Sequence, residues 1–287
     1  MRRSFIMACV SLYWACGLYA AQSTITEAEG TASMGDDKTR KQTEQAALAD
    51  AKRAAVEQTL TYLRSETVVK DAMLQSDVID AYANASIRVV QEIKREWYKD
   101  EALGDCCRVR IKAEVIPDEQ AMAKARDAQP ANAPDDPTAP LSVNTWTERK
   151  EYKTGEQVKL YLKGNKPFYA RVVYTDAAGA MIQLLPNPYR ADNYFNGGVT
   201  YEMPSGQDRF VLEVSPPYGT ESITVYASTA QLGDVKLEAA GGVYTVKTKS
   251  ADVGNKSRGI RIQEKGSGKP APAEFSETTA TIQTLGQ

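Results

Sequence analysis

The sequence predicts an α+β protein: a small α+β domain, its helices packed on a β-hairpin, joined by a Pro/Ala linker to an antiparallel, immunoglobulin-like β-sandwich. Three observations predict it. Leu48, Ala51, Ala55, Thr59 and Tyr62 recur at steps of three and four within an alanine-rich run, marking one face of a helix. Beyond Leu141 the apolar period falls to two, as in Val158, Leu160 and Leu162 alternating with Lys159, Tyr161 and Lys163. Between these halves, Pro130, Pro134, Pro137 and Pro140 stand among alanine and aspartate with almost no large apolar side chain.

Length and composition bound the function. At 287 residues the chain holds one or two domains. A net charge of −2 gives no basic excess for phosphates, so nucleic acid is not an expected partner. With no histidine, His-based triads and His-metal clusters are excluded. The mean hydropathy of −0.44 leaves no room for several apolar spans.

In chain order, Arg2 and Arg3 precede an uncharged stretch over residues 5–21, the pattern of a secretory signal peptide covering residues 1–20. Cleavage is expected between Ala20 and Ala21, with an uncleaved anchor helix or lipid attachment at Cys16 as alternatives. After cleavage no membrane span remains. The expected location is the periplasm or the outer membrane and cell surface. Residues 21–42, polar with Gly30 and Gly35, read as a flexible leader.

Residues 43–118 form the expected α+β domain, with a first helix from near Thr43 and a second over 75–86. Residues 87–99 fit a helical or a strand period. In 106–115, Cys107, Val109, Ile111, Ala113 and Val115 alternate with polar residues, the pattern of a half-buried strand. The 100–105 loop with Gly104 then makes a hairpin of the two segments. Residues 119–140 read as the linker, and 141–287 as the sandwich. Its strands are expected at 158–163, 168–175, 180–185, 208–214, 222–228, 243–247, 259–263 and 278–284, with a polar hairpin loop over 251–274.

Chemistry-bearing patterns are few. Cys106 and Cys107 are possible redox thiols; alternation instead places Cys107 in the core and Cys106 outside, and a bond between neighbours needs a distorted peptide. Two thiols without histidine make no zinc site. Nothing in the order of residues selects a carboxylate pair, no serine lies in a G-x-S-x-G elbow, and Gly266-Ser-Gly-Lys269 lacks the first glycine of a phosphate loop. No catalytic, cofactor-binding or metal residue is therefore predicted, and no cofactor. A binding surface is expected from Tyr152, Tyr161, Tyr169, Asn187 and Tyr218, with Trp146 among the aromatics.

Two resemblances extend this reading. Tyr152-Lys-Thr-Gly155-Glu156-Gln-Val158, Tyr174-Thr-Asp176-Ala-Ala-Gly179, Leu184-Leu-Pro186-Asn187, Met203-Pro204 and Gly219-Thr-Glu221-Ser-Ile223 stand in an order that resembles the bacterial family called domain of unknown function 4384, over residues 141–284. The resemblance implies an all-β module of exported or envelope-associated proteins and brings no catalytic residues. The alanine-rich helix over 46–63 and Val109-Arg-Ile111-Lys-Ala113-Glu-Val115 resemble the N-terminal domain of the flagellar assembly protein T family and related envelope lipoproteins, which implies a periplasmic docking module. Ala85-Ser86-Ile87 stands where that family carries Ser-x-Gly. The expected function is a non-catalytic envelope or periplasmic binding or scaffold protein of a secretion, surface or flagellar assembly, with an envelope protein as partner. The alternatives are a cell-wall glycan-binding module or hydrolase, and a thiol redox sensor.

Overall fold

A computed structural model describes residues 21–36, 38–66, 72–127, 135–240, 243–258 and 272–286. The expected signal peptide, residues 128–134 of the expected linker and the expected strand at 259–263 lie outside the described residues.

Among the described residues the fold is mostly antiparallel β-sheet with four helices, an α+β arrangement with a sandwich-like β-rich half. Its organising element is the segment expected to be a flexible leader. Residues Ala21–Ser33 form β1, a strand within the main sheet, so that expectation is corrected. Thr24, Thr26, Ala28 and Gly30 face one side and Ser23, Ile25, Glu27 and Glu29 the other, an alternation of small polar residues that carries little hydropathy signal. Gly30 is there for close packing: a Cβ on it would lie 2.0 Å from the backbone nitrogen of Ala51. That contact explains the alanine face of α1 (Arg40–Glu66), whose Ala47, Ala51 and Ala55 are fully buried on the sheet. A reciprocal cap starts α1 ahead of the expected Thr43. The Thr39 hydroxyl accepts from the Gln42 amide, and the Thr39 amide donates to Gln42 Oε1.

α2 (Ala72–Ala83) is followed by β2 (Ser86–Asp100), which settles the ambiguous segment as a strand, and by β3 (Gly104–Ile116). The Asp100 carboxylate caps the turn by accepting from the Ala102 and Leu103 amides. Within the expected linker, α3 (Glu119–Asp127) forms, its first turn capped by Asp118 accepting from the Ala121 amide. Residues 119–127 are thus helical, not extended.

The remaining strands are β4 (Val143–Thr147), β5 (Glu151–Lys153), β6 (Leu160–Gly164), β7 (Phe168–Thr175), β8 (Met181–Leu185), β9 (Tyr194–Phe195), β10 (Thr200–Met203), β11 (Thr220–Ser228), β12 (Leu237–Ala240), β13 (Val243–Val246) and β14 (Ala273–Leu285). α4 (Ser250–Ser257) occupies the start of the expected hairpin loop, a second correction. The expected strand at 208–214 is a third: it meets its neighbours only through the Gln157–Glu213 bridge and bonds such as Val158 N–H to Leu212 O.

The main sheet runs β12-β13-β8-β7-β11-β14-β1-β3-β2, and the second runs β10-β6-β4. One face of the main sheet carries α1 and, beside it, the second sheet. Leu160, Leu162, Phe168, Val172, Ile223 and Ile282 fill the core between the two sheets. The other face carries α4, whose Val253 packs with Ile25, Val173, Tyr226, Val246 and Phe275. The sheet does not stop where the N-terminal segment ends. β1 pairs with β3 on one side and with β14 on the other, so one ladder runs through both halves.

Candidate functional site

Two buried glutamates flank the β14–β1–β3 seam, one on each face. Glu274 donates nothing and accepts from the Leu141 amide, from Lys166 Nζ at 3.0 Å and from the Tyr62 hydroxyl at 3.3 Å, tying α1 to the second sheet. On the opposite face Glu114 accepts from the Ser23 hydroxyl at 2.5 Å and from Arg88 Nε at 2.8 Å, and pairs with Arg258 at 2.6 Å. Arg258 also lies 4.0 Å from the Phe275 ring centroid and pairs with Glu277. Burial of such ions is costly unless each is paired, and here each is. These contacts use the carboxylates to hold the fold. Arg171 is likewise buried, donating to Gln183, to the Gly233 carbonyl and to Ser257; desolvation lowers its pKa. Among the described residues no group of three or more Asp, Glu, Cys or His is placed to hold a metal.

The sequence-predicted binding residues do not converge. Tyr152 is buried, its hydroxyl accepting from the Arg149 amide with the Arg149 guanidinium over its ring, so it is removed from the surface set. Asn187 organises a turn: its side-chain amide donates to Leu184 O, and its oxygen accepts from the Tyr189 and Arg190 amides. Tyr218 packs on the core between the sheets and against Gly286. Tyr169 meets Tyr194 at 5.1 Å at the β7–β9 pairing. Tyr161 stands on the second sheet directly opposite Trp146, their rings 5.7 Å apart and 16° from parallel. Trp146 is 37% exposed.

Cys106 and Cys107 are free thiols, and both are buried. The outward Cys106 of the sequence reading is therefore corrected: it sits in register between Ser33 of β1 and Tyr98 of β2, in the middle of three strands. Burial pushes the Cys107 thiol above its ordinary value, which makes it a poor thiolate.

Among the described residues, surface depressions lie at the Glu114–Arg258 seam and at two further places. A polar cleft between β2 and α4 is lined by Arg88, Gln91, Asp234, Asp252, Asn255 and Lys256, charges of both signs. A mainly apolar groove of about 290 Å³, with Gln183, Asn187 and Arg209 also on its lining, lies between Ile182 and Leu184 of β8, Val243 of β13 and the 209–212 segment with Phe210 and Val211. Tyr189 stacks on Phe210 at its rim, 6.4 Å between centroids. Tyr189 is 52% and Val211 59% exposed, so apolar surface here is left open to solvent. Of the sequence-predicted residues only Asn187 lines this groove; the rest of its lining comes from β8, β13 and the 209–212 segment, which the β8–β13 pairing and the Val158–Leu212 bond bring together from distant parts of the chain. The Tyr189 and Phe210 rings were the available signal.

Most of these residues fall in one segment. Residues 151–231 match the family model described as Domain of unknown function (DUF4384). The DUF4384 segment covers β5 through β11 and the β11–β12 connection as far as residue 231, a narrower span than the 141–284 expected, and it holds every groove residue except Val243. The strands that complete its two sheets, β1 to β4 and β12 to β14, lie outside the matched residues. No curated protein and no solved structure matched the chain.

Proposed function

We propose that the protein is a non-catalytic binding or scaffold protein of a bacterial cell envelope, exported to the periplasm or cell surface, whose DUF4384 segment docks an envelope protein partner in the apolar groove. The observation that carries this reading is the exposure of Tyr189, Val211 and Val243 around a concave, mainly apolar surface. Aromatic and aliphatic anchors seated in such pockets dominate protein–protein affinity. The basic, then uncharged, N-terminal stretch supports export, and the use of Glu114 and Glu274 in internal pairs supports a structural role for the buried acids. The two facing sheets support reading this half as immunoglobulin-like, and the N-terminal strands and α1 as a docking module of a secretion, surface or flagellar assembly.

The test is chemical cross-linking in intact envelopes followed by purification of the tagged full chain. The wild type is expected to yield a discrete cross-linked partner that Val211→Asp loses and Trp146→Ala keeps. A partner retained at full yield by Val211→Asp would contradict the reading.

A second reading, binding of cell-wall glycan, is favoured by the Trp146–Tyr161 pair, since flat aromatic faces flanked by polar groups suit sugar rings. Lys159 and Glu202, paired at 2.7 Å, stand beside it. Co-sedimentation with peptidoglycan that Trp146→Ala abolishes would support that reading. A thiol switch finds no such support, as both cysteines are buried.

A further inference from the structure

The polar side chains on the groove's lining differ in how far the fold already uses them. Gln183 is buried: its amide donates to Pro186 O at 2.7 Å, and its oxygen accepts from Arg171 Nε at 2.9 Å. Asn187 is held by the three bonds of its turn. Arg209 is exposed and has neither an ion pair nor a hydrogen bond among the described residues. The other arginines of residues 151–231 are both engaged, Arg171 with Gln183, Gly233 and Ser257, and Arg190 with Asp208. Among the described residues no acidic side chain lines the groove. Its walls are therefore mainly apolar, with one unpaired positive charge.

That combination selects an occupant. A guanidinium only donates, and its planar fork matches a carboxylate. The Tyr189 hydroxyl is a further donor on the lining with no partner among the described residues. A purely apolar occupant gains nothing from Arg209, and a basic one is repelled by it. The volume of about 290 Å³ falls below the roughly 300–1,000 Å³ of pockets that enclose a drug-sized ligand. It suits a side-chain anchor of a larger partner. A chain-terminal carboxylate is captured in a backbone nest, which uses a residue at positive φ, and no such residue lines the groove among the described residues.

We propose that the groove recognises an internal segment of the partner in which an aliphatic residue is followed directly by Asp or Glu. The aliphatic side chain packs against Phe210 and Val211, and the carboxylate pairs with Arg209. The proposal rests on the groove reading and names the chemistry of the partner. An exposed pair of this kind adds selectivity more than affinity.

The probe is a capped octapeptide of glycine and serine with a central leucine–aspartate pair, titrated into the isotope-labelled full chain and followed by amide NMR. Controls replace the aspartate by asparagine or lysine, or end the peptide at leucine with a free carboxylate. The aspartate peptide is expected to shift the Phe210, Val211 and Val243 amides and to bind roughly threefold more tightly than the asparagine peptide. The preference is expected to fade in about 0.5 M salt. Arg209→Gln is expected to remove the preference while leaving the affinity for the asparagine peptide unchanged, a split that a merely structural role would not produce. Equal binding of the two peptides by the wild type, a preference kept by Arg209→Gln, or no shift at the groove would overturn the proposal. Tighter binding of the free-carboxylate peptide would overturn it in favour of a chain end, and binding of decanoate without the peptide in favour of an anionic amphiphile. The two readings fail separately. An envelope cross-link that survives Val211→Asp sinks the groove itself, whereas one that Val211→Asp removes and Arg209→Glu leaves at full yield sinks only the carboxylate.

Discussion

Glu114 of β3 and Arg258, the residue that ends α4, meet at 2.6 Å on the outer face of the main sheet. The contact joins the first strands of the chain to a helix near its end, and Arg88 and Ser23 complete the carboxylate's partners. On the other face Glu274 does the same for α1 and the second sheet. The two halves are consequently one mechanical unit rather than modules on a loose tether.

Removing one buried partner should be expensive. Glu114→Gln leaves Arg88 and Arg258 facing an uncharged amide and is expected to cost about 3 kcal/mol in urea unfolding. Glu238→Gln, at the exposed pair with Lys247, is expected to cost less than about 0.5 kcal/mol. Equal effects at the two sites would contradict the seam.

Gly30→Ala forces a methyl group to within 2.0 Å of the Ala51 backbone nitrogen, which must move α1 off β1. The expected loss is about 3 kcal/mol or more, with a fall in melting temperature that Gly104→Ala does not reproduce through packing, since nothing lies within 4 Å of that position. A stable Gly30→Ala protein would show that β1 is not seated on the helix.

Much of the fold was legible where one physical rule dominated. The alternation from Cys107 to Val115 gave β3, and 168–175 gave β7, because each buries a full apolar row on a sheet. β1 was hidden because both of its faces are covered by contacts that use small or polar residues: Thr24 bonds the Tyr82 hydroxyl, Ser23 bonds Glu114, and Gly30 meets a backbone. α4 was hidden because about two turns with a single buried valine give no period to detect. The tyrosines failed as a surface marker for a similar reason. Tyr152 and Tyr82 satisfy their hydroxyls internally, so a polar tip did not mean an exposed ring.

Buried tyrosines also set the alkaline behaviour. Desolvation raises the Tyr226 pKa from 10.0 to about 12, with Glu277 adding to the shift, and burial likewise raises Tyr82 and Tyr174. A folded pKa above the unfolded one means stability that is intact below pH 10 and is lost as the pH climbs toward 12 and beyond. Thermal melts are expected to show this loss together with late, cooperative phenolate absorbance. Tyr226→Phe should flatten the part of the slope between pH 10 and 12. Normal titration of all tyrosines near pH 10 in the folded protein would contradict the burial.

Thiol reactivity gives an independent check on β3. In the folded chain, Cys106 and Cys107 are expected to react with a maleimide orders of magnitude more slowly than in urea, because modification requires opening of the three-strand unit. Rapid labelling of either without unfolding would place it outside the sheet.

The most direct measurement is site-specific photo-cross-linking in living cells, with the reactive residue placed in turn at Val211 in the groove, Trp146 on the second sheet and Lys94 on β2. One discrete protein adduct is expected from position 211 and none of that mass from positions 146 or 94. An adduct formed equally from all three, or from position 146 alone, would contradict docking in the groove.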